Sequence, residues 1–63
     1  MTIQRKICSD KSAFIVVFDN EGEPLATASF INTLDAKFAM RLIRDVITEC
    51  GQPAPTILPD KTA

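Results

Sequence analysis

The chain has no histidine, no tryptophan and no tyrosine, and only two glycines and two cysteines among its 63 residues. Each scarcity removes a class of function. Without histidine no side chain titrates near neutrality at its ordinary pKa, so proton transfer would fall to carboxylates, two thiols and a few lysines. No catalytic residue is assigned, and the chain is expected not to be an enzyme. Cys8 and Cys50 can form one bridge at most, whereas disulfide-built secreted domains carry several. They lie too far apart for a C-x-x-C knuckle, so no metal and no cofactor is expected. A reactive cysteine is usually placed at a helix N-terminus, and neither position offers one; both read as small apolar fillers. The longest apolar run, Ala13 to Phe18, falls far short of the roughly 18 residues of a membrane span. No charged start leads into a long apolar stretch as in a signal peptide. The expected location is cytoplasmic, with reduced thiols. A net charge of −1 gives no general attraction to nucleic acid or anionic membrane.

What is present is a short alternation of strand and turn signals followed by one helix. Thr2 to Cys8 alternates, with Ile3 and Ile7 on one side, and Ser9 to Ser12 is turn material. Ala13 to Phe18 (AFIVVF) is the strongest strand signal, and Leu25 to Ile31 (LATASFI) is a weaker one. Between them, Asp19-Asn20-Glu21-Gly22 fits a three-residue hairpin loop with Gly22 left-handed. That loop sets Asp19 opposite Glu23, Phe18 opposite Pro24, Val17 opposite Leu25 and Phe14 opposite Ala28. One face then carries Phe14, Val16, Phe18 and Phe30 around Ala26 and Ala28, a floor of alanines on which a helix can rest. The helix runs from Leu34 to Cys50, capped by Asn32 or Thr33, with Asp35 in its first turn and Gly51 as its stop. The expected fold is α+β: a three-stranded antiparallel sheet with one C-terminal helix on one face (β-β-β-α). Residues 1–51 form the domain and 52–63 an extended, disordered, proline-rich tail.

The helix has more apolar surface than one sheet can cover. Its apolar residues sweep an arc of about 240°, where about 100° suffices. If Leu34, Phe38, Leu42, Val46 and Ala39 fill the alanine floor, Met40, Ile43 and Ile47 are left outside. Ile15, Val17 and Leu25 fall on the far face of the sheet. These six form the expected partner or dimer interface, since a chain this small has a thin core and gains from a second one. Two charged features are also candidates. Lys37, Arg41 and Arg44 form a basic helix stripe suited to an anionic partner such as nucleic acid. Asp19, Glu21 and Glu23 form an acidic tip suited to a basic partner. More plainly, both are solvated surface, and the tip lacks the spacing of a calcium loop.

The order hairpin, strand and then a helix opening Asn-Thr-Leu-Asp-Ala resembles the N-terminal half of HicB-type antitoxins, through Thr33, Asp35 and Ala36 within Phe14 to Ile47. That resemblance implies a truncated RNase H-like unit. The Gly-Cys segment usual before the family's helix is missing here, as is a C-terminal DNA-binding part. In size and make-up the chain is also similar to small phage-encoded inhibitors of host defence. The expectation is a small non-enzymatic protein acting by protein–protein contact, a homodimer, and of the kind of a phage-type inhibitor or modulator of a host macromolecule. The alternative is a nucleic-acid-associated or antitoxin-like regulator using the basic stripe.

Overall fold

The computed structural model describes residues 1–63. In chain order it contains β1 (Thr2–Ile7), β2 (Ala13–Phe18), β3 (Pro24–Phe30), α1 (Thr33–Glu49), β4 (Thr56–Ile57) and β5 (Lys61–Thr62). The architecture is α+β, with one helix and a mixed sheet of five strands. β1, β2 and β3 are antiparallel neighbours, as the sequence suggested, while β4 and β5 both lie parallel to β1 on its other side.

Two loops of one design join the first three strands. In the first, the N–H of Cys8 donates to the Ser12 carbonyl (2.9 Å) and that of Lys11 to the Cys8 carbonyl (3.1 Å). In the second, the Asp19 N–H donates to the Glu23 carbonyl (2.9 Å) and that of Gly22 to the Asp19 carbonyl (3.2 Å). An aspartate locks each loop. Asp10 Oδ1 accepts the Ser12 N–H and hydroxyl, which holds the Asp10 carboxyl below its usual range. Asp19 Oδ1 accepts the N–H groups of Glu21 and Glu23, both at 2.9 Å. Each loop ends in a left-handed residue, Lys11 at φ 69° and Gly22 at φ 84°.

The second hairpin departs from the expected register after one pair. Phe18 faces Pro24, but Val17 faces Ala26, so Leu25 is an extra residue in a bulge; Ile15 then pairs with Ala28 and Ala13 with Phe30. A slip of one residue moves a strand's side chains to the opposite face. Ala26, Ala28 and Phe30 still point toward the helix, but from β2 they are joined by Ala13, Ile15 and Val17. Phe14, Val16 and Phe18 point away. The core is Ile3, Ala13, Ile15, Ala36 and Met40, with Val17, Phe30, Ala39 and Ile43 packed against it. Ala36 is fully enclosed, as are Ile3 and, within 1%, Ile15, so the helix approaches the sheet most closely where its side chain is smallest.

α1 begins at Asn32, whose Oδ1 accepts the Asp35 N–H (2.8 Å) while its amide donates to Asp35 Oδ2 (3.0 Å). This reciprocal cap satisfies a first-turn donor and sets a carboxylate at the positive end of the helix. Gly51, at φ 85°, ends it.

The tail is not disordered. Pro55 is buried. The N–H groups of Thr56, Leu58 and Ala63 donate to the carbonyls of Met1 (3.1 Å), Ile3 (2.9 Å) and Ile7 (2.9 Å), so residues 56–63 form one broken edge strand along β1. Prolines are tolerated in such a strand because its outer side needs no donor. Arg5 fastens it. Its Nε donates to Asp60 Oδ1 (3.0 Å), its Nη2 pairs with Asp60 Oδ2, and its Nη1 reaches the Thr33 carbonyl (3.0 Å). The Arg5 guanidinium holds the Asp60 carboxyl below its usual range.

Three outcomes test this fold. Removing Pro55 to Ala63 lowers unfolding stability by roughly 2–4 kcal/mol in a denaturant titration, from the lost strand hydrogen bonds and the uncovered β1. Because Asp60 is more acidic in the folded chain, its contribution is present above the ordinary aspartate pKa of about 3.9 and fades as pH falls through its lowered value. Asp60→Asn removes that acid limb and costs less than about 1 kcal/mol at neutral pH, the pair being partly exposed. Lys11→Gly stabilises by up to about 1 kcal/mol, as relief of the left-handed backbone outweighs the extra freedom of the unfolded chain.

Candidate protein-interaction surface

The roll of the helix decides which side chains reach solvent. Ala36 and Met40 are buried, and Ala39, Ile43 and Ile47 half-buried, all on the sheet side. On the outer side, Leu34, Phe38, Leu42 and Val46 stand at i, i+4, i+8 and i+12, exposed by 56%, 55%, 65% and 50%. Four large apolar side chains at one spacing present on the order of 400 Å², comparable to the largest apolar patch of a typical monomer.

The two flanks of the helix face different edges of the sheet. Arg5, bound to the Thr33 carbonyl, also holds Asp60, and the charge of Lys37 acts on that same Asp60. The basic flank therefore lies on the β5 side. The opposite flank, with Ala39, Leu42 and Val46, lies on the β3 side. There Ile43 joins Ile15, Val17, Ala26, Thr27 and Ala28 around a shallow apolar depression of about 60 Å³.

The strand beneath this depression is uncovered. Every residue of β3 from Pro24 to Ser29 is exposed, and its outer edge has no strand neighbour. Leu25 to Ile31 contains no charge and no proline. Natural sheets usually protect an edge with charges, prolines, bulges or interruption. The β4–β5 edge has two prolines and a break. β3 has the bulge at Leu25 at its start and is unguarded beyond it.

The expected interface residues are redistributed accordingly. Ile15 and Met40 are buried within the chain's own core, and Val17, Ile43 and Ile47 are half-buried beside it; of the six, only Leu25 is largely exposed. The cause is the slip at Leu25, which turns Ile15 and Val17 inward and brings Met40 and Ile43 down onto them. Leu34, Phe38, Leu42 and Val46, expected inside, are the residues left outside. Their spacing was visible as the second apolar row of the helix, and only the register could say which row faces the sheet.

The charged candidates lie apart from this surface. Lys37, Arg41 and Arg44 are exposed along the other flank. Arg44 leans on Asp45 at 3.4 Å, while neither Lys37 nor Arg41 forms an ion pair. Asp19 is committed to its loop, while Glu21 and Glu23 project from the tip without ion pairs. A second depression of about 150 Å³ lies near Met1, Asp19, Asn20, Ile47 and Gln52 to Ala54, and the Met1 ammonium donates to Asn20 Oδ1 within it. Cys8 is half-buried and Cys50 exposed, both unpaired. No cluster of three or more His, Cys, Asp or Glu could hold a metal ion, and no helix is long and apolar enough to cross a membrane. Comparison with protein-family models, with curated proteins and with solved structures finds no match to this chain.

Paired truncations test the helix orientation. Met40→Ala destabilises by about 2–4 kcal/mol, the cost of a cavity in the core. Leu42→Ala, on the exposed row, stays within about 0.5 kcal/mol of the parent. Equal costs at the two positions would contradict the assigned roll.

Proposed function

We propose that this protein works by protein–protein contact, using the surface formed by the outer apolar row of α1 and the open β3 side of the sheet. The observation that carries the reading is the exposure of Leu34, Phe38, Leu42 and Val46 in one row beside an uncharged strand edge. Apolar surface of this extent, next to unpaired backbone donors and acceptors, favours a macromolecular partner over water. A chain with so little acid–base chemistry and no enclosed polar cavity is suited to covering a site on another molecule, as an adaptor or an inhibitor does. The nucleic-acid alternative has less support, because the basic stripe is only three residues long, Arg44 is already beside Asp45, and no aromatic side chain lies among them to stack on a base.

A photo-reactive residue placed at position 42, compared with one at position 41, tests the reading in the native host. Position 42 is expected to give protein adducts that persist in high salt and are lost when Phe38→Glu is added; position 41 is expected to give few. Adducts confined to position 41, formed with nucleic acid and lost as salt rises, would overturn it in favour of the basic stripe.

A further inference from the structure

The open edge of β3 is complementary to itself. In antiparallel pairing of two copies about Thr27, Thr27 meets Thr27, Ala26 meets Ala28, and Leu25 meets Ser29. No charge meets a like charge, and on the helix side the two central Ala26–Ala28 pairs are flanked by Pro24 opposite Phe30. We propose that the partner of this surface is a second copy of the chain, with the two β3 edges joined into one continuous sheet and the Leu42–Val46 flank of each helix bordering the alanine floor of the junction. The inference rests on the reading of this surface as a protein-contact face and names its occupant.

Three further observations favour a second copy. The isolated chain is under-buried. Seven of its 63 residues are buried, and its accessible surface of 4343 Å² exceeds the roughly 4,000 Å² expected of a folded 6.9 kDa monomer. The bare surface is extensive. The exposed helix row alone presents on the order of 400 Å², about half of the roughly 800 Å² that each partner contributes to a standard interface, and the exposed strand β3, Leu25 included, lies beside it. The charges on this side are also placed tolerably. Asp35 and Glu49 stand at opposite ends of the helix flank, about 21 Å apart along the axis. The like charges that two copies bring therefore lie at the rim, where water and salt screen them, and the centre of the contact is apolar.

The pairing is intermolecular, so it is read from the whole chain at several concentrations. Sedimentation equilibrium is expected to show a monomer–dimer equilibrium in the micromolar range, with no larger species, because pairing consumes the only unguarded edge. In a sample mixed from isotope-labelled and unlabelled chains, contacts between copies are expected at Ala26, Thr27 and Ala28. Ala28→Glu places a carboxylate on the alanine floor, at a position already exposed in the single chain. It is expected to weaken dimerisation roughly ten- to a hundredfold while the circular dichroism of the helix is retained. Thr27→Lys, on the other face of the same strand, provides an independent like-charge test with the same expected direction. A wild-type chain that stays monomeric up to about 1 mM overturns the proposal. So does a dimer whose inter-copy contacts fall only on Leu34 and Phe38 and which neither β3 substitution weakens. A monomer that still cross-links to another protein through position 42 refutes the second copy alone and leaves the protein-contact reading standing.

Discussion

Leu25 has no partner across the hairpin. With Phe18 opposite Pro24 and Val17 opposite Ala26, one residue of β3 is surplus, and strand alternation carries the consequence along the rest of the sheet. Ala13, Ile15 and Val17 turn inward and meet Ile3 from β1. A helix laid on these branched residues fits best with its small side down, and Ala36 supplies it, flanked by Met40 and Ala39. The larger apolar row of the helix is then turned to solvent. Core composition, helix roll and the identity of the outer surface thus follow from a single bulge.

Much of this architecture could be read from the residues. Gly22 marked the hairpin loop, Asn32 and Asp35 the helix start, Gly51 its end, and the AFIVVF run the central strand. Ala26 and Ala28 do lie on the helix side of β3, but both are exposed and not the covered floor that was expected. The bulge could not be read, because nothing local separates Pro24-Leu25 as a regular strand start from Pro24-Leu25 as a bulge; the choice is made by packing between distant residues. With it went the face of β2 and the row of α1 that meets the sheet. The tail was misjudged for a related reason. Three prolines argue against regular structure, yet an edge strand needs donors on one side only, and those of Thr56, Leu58 and Ala63 are the ones that meet β1. The role of Arg5 was likewise invisible: a single arginine in an alternating strand gives no sign of Asp60 and the Thr33 carbonyl, which lie far away in sequence.

The two edges of the sheet contrast in a way that bears on function. One is closed by a short, interrupted strand anchored through a guanidinium–carboxylate fork and a buried proline. The other is bare, neutral and bordered by the flank of the helix. A domain of this size has few core residues with which to offset the entropy of folding. Apolar side chains at 34, 38, 42 and 46 are half or more exposed and contribute little to the single chain; in the proposed contact their contribution would come on association. The residues that stabilise the single chain and those proposed to meet a partner are therefore different ones: Met40 and Ala36 are buried in the core, Leu42 and Ala28 are exposed.

The claim on which these conclusions depend is the register at Leu25, and proton–proton contacts in solution measure it most directly. A nuclear Overhauser spectrum is predicted to show contacts across the hairpin between Val17 and Ala26 and between Ile15 and Ala28. The methyl groups of Met40 and Ile43 should contact Ile15, while Phe38 and Leu42 show no contact to β2. Contacts of Val17 with Leu25, together with Phe38 or Leu42 packed against Phe14, would contradict the account and return the exposed row of the helix to the interior.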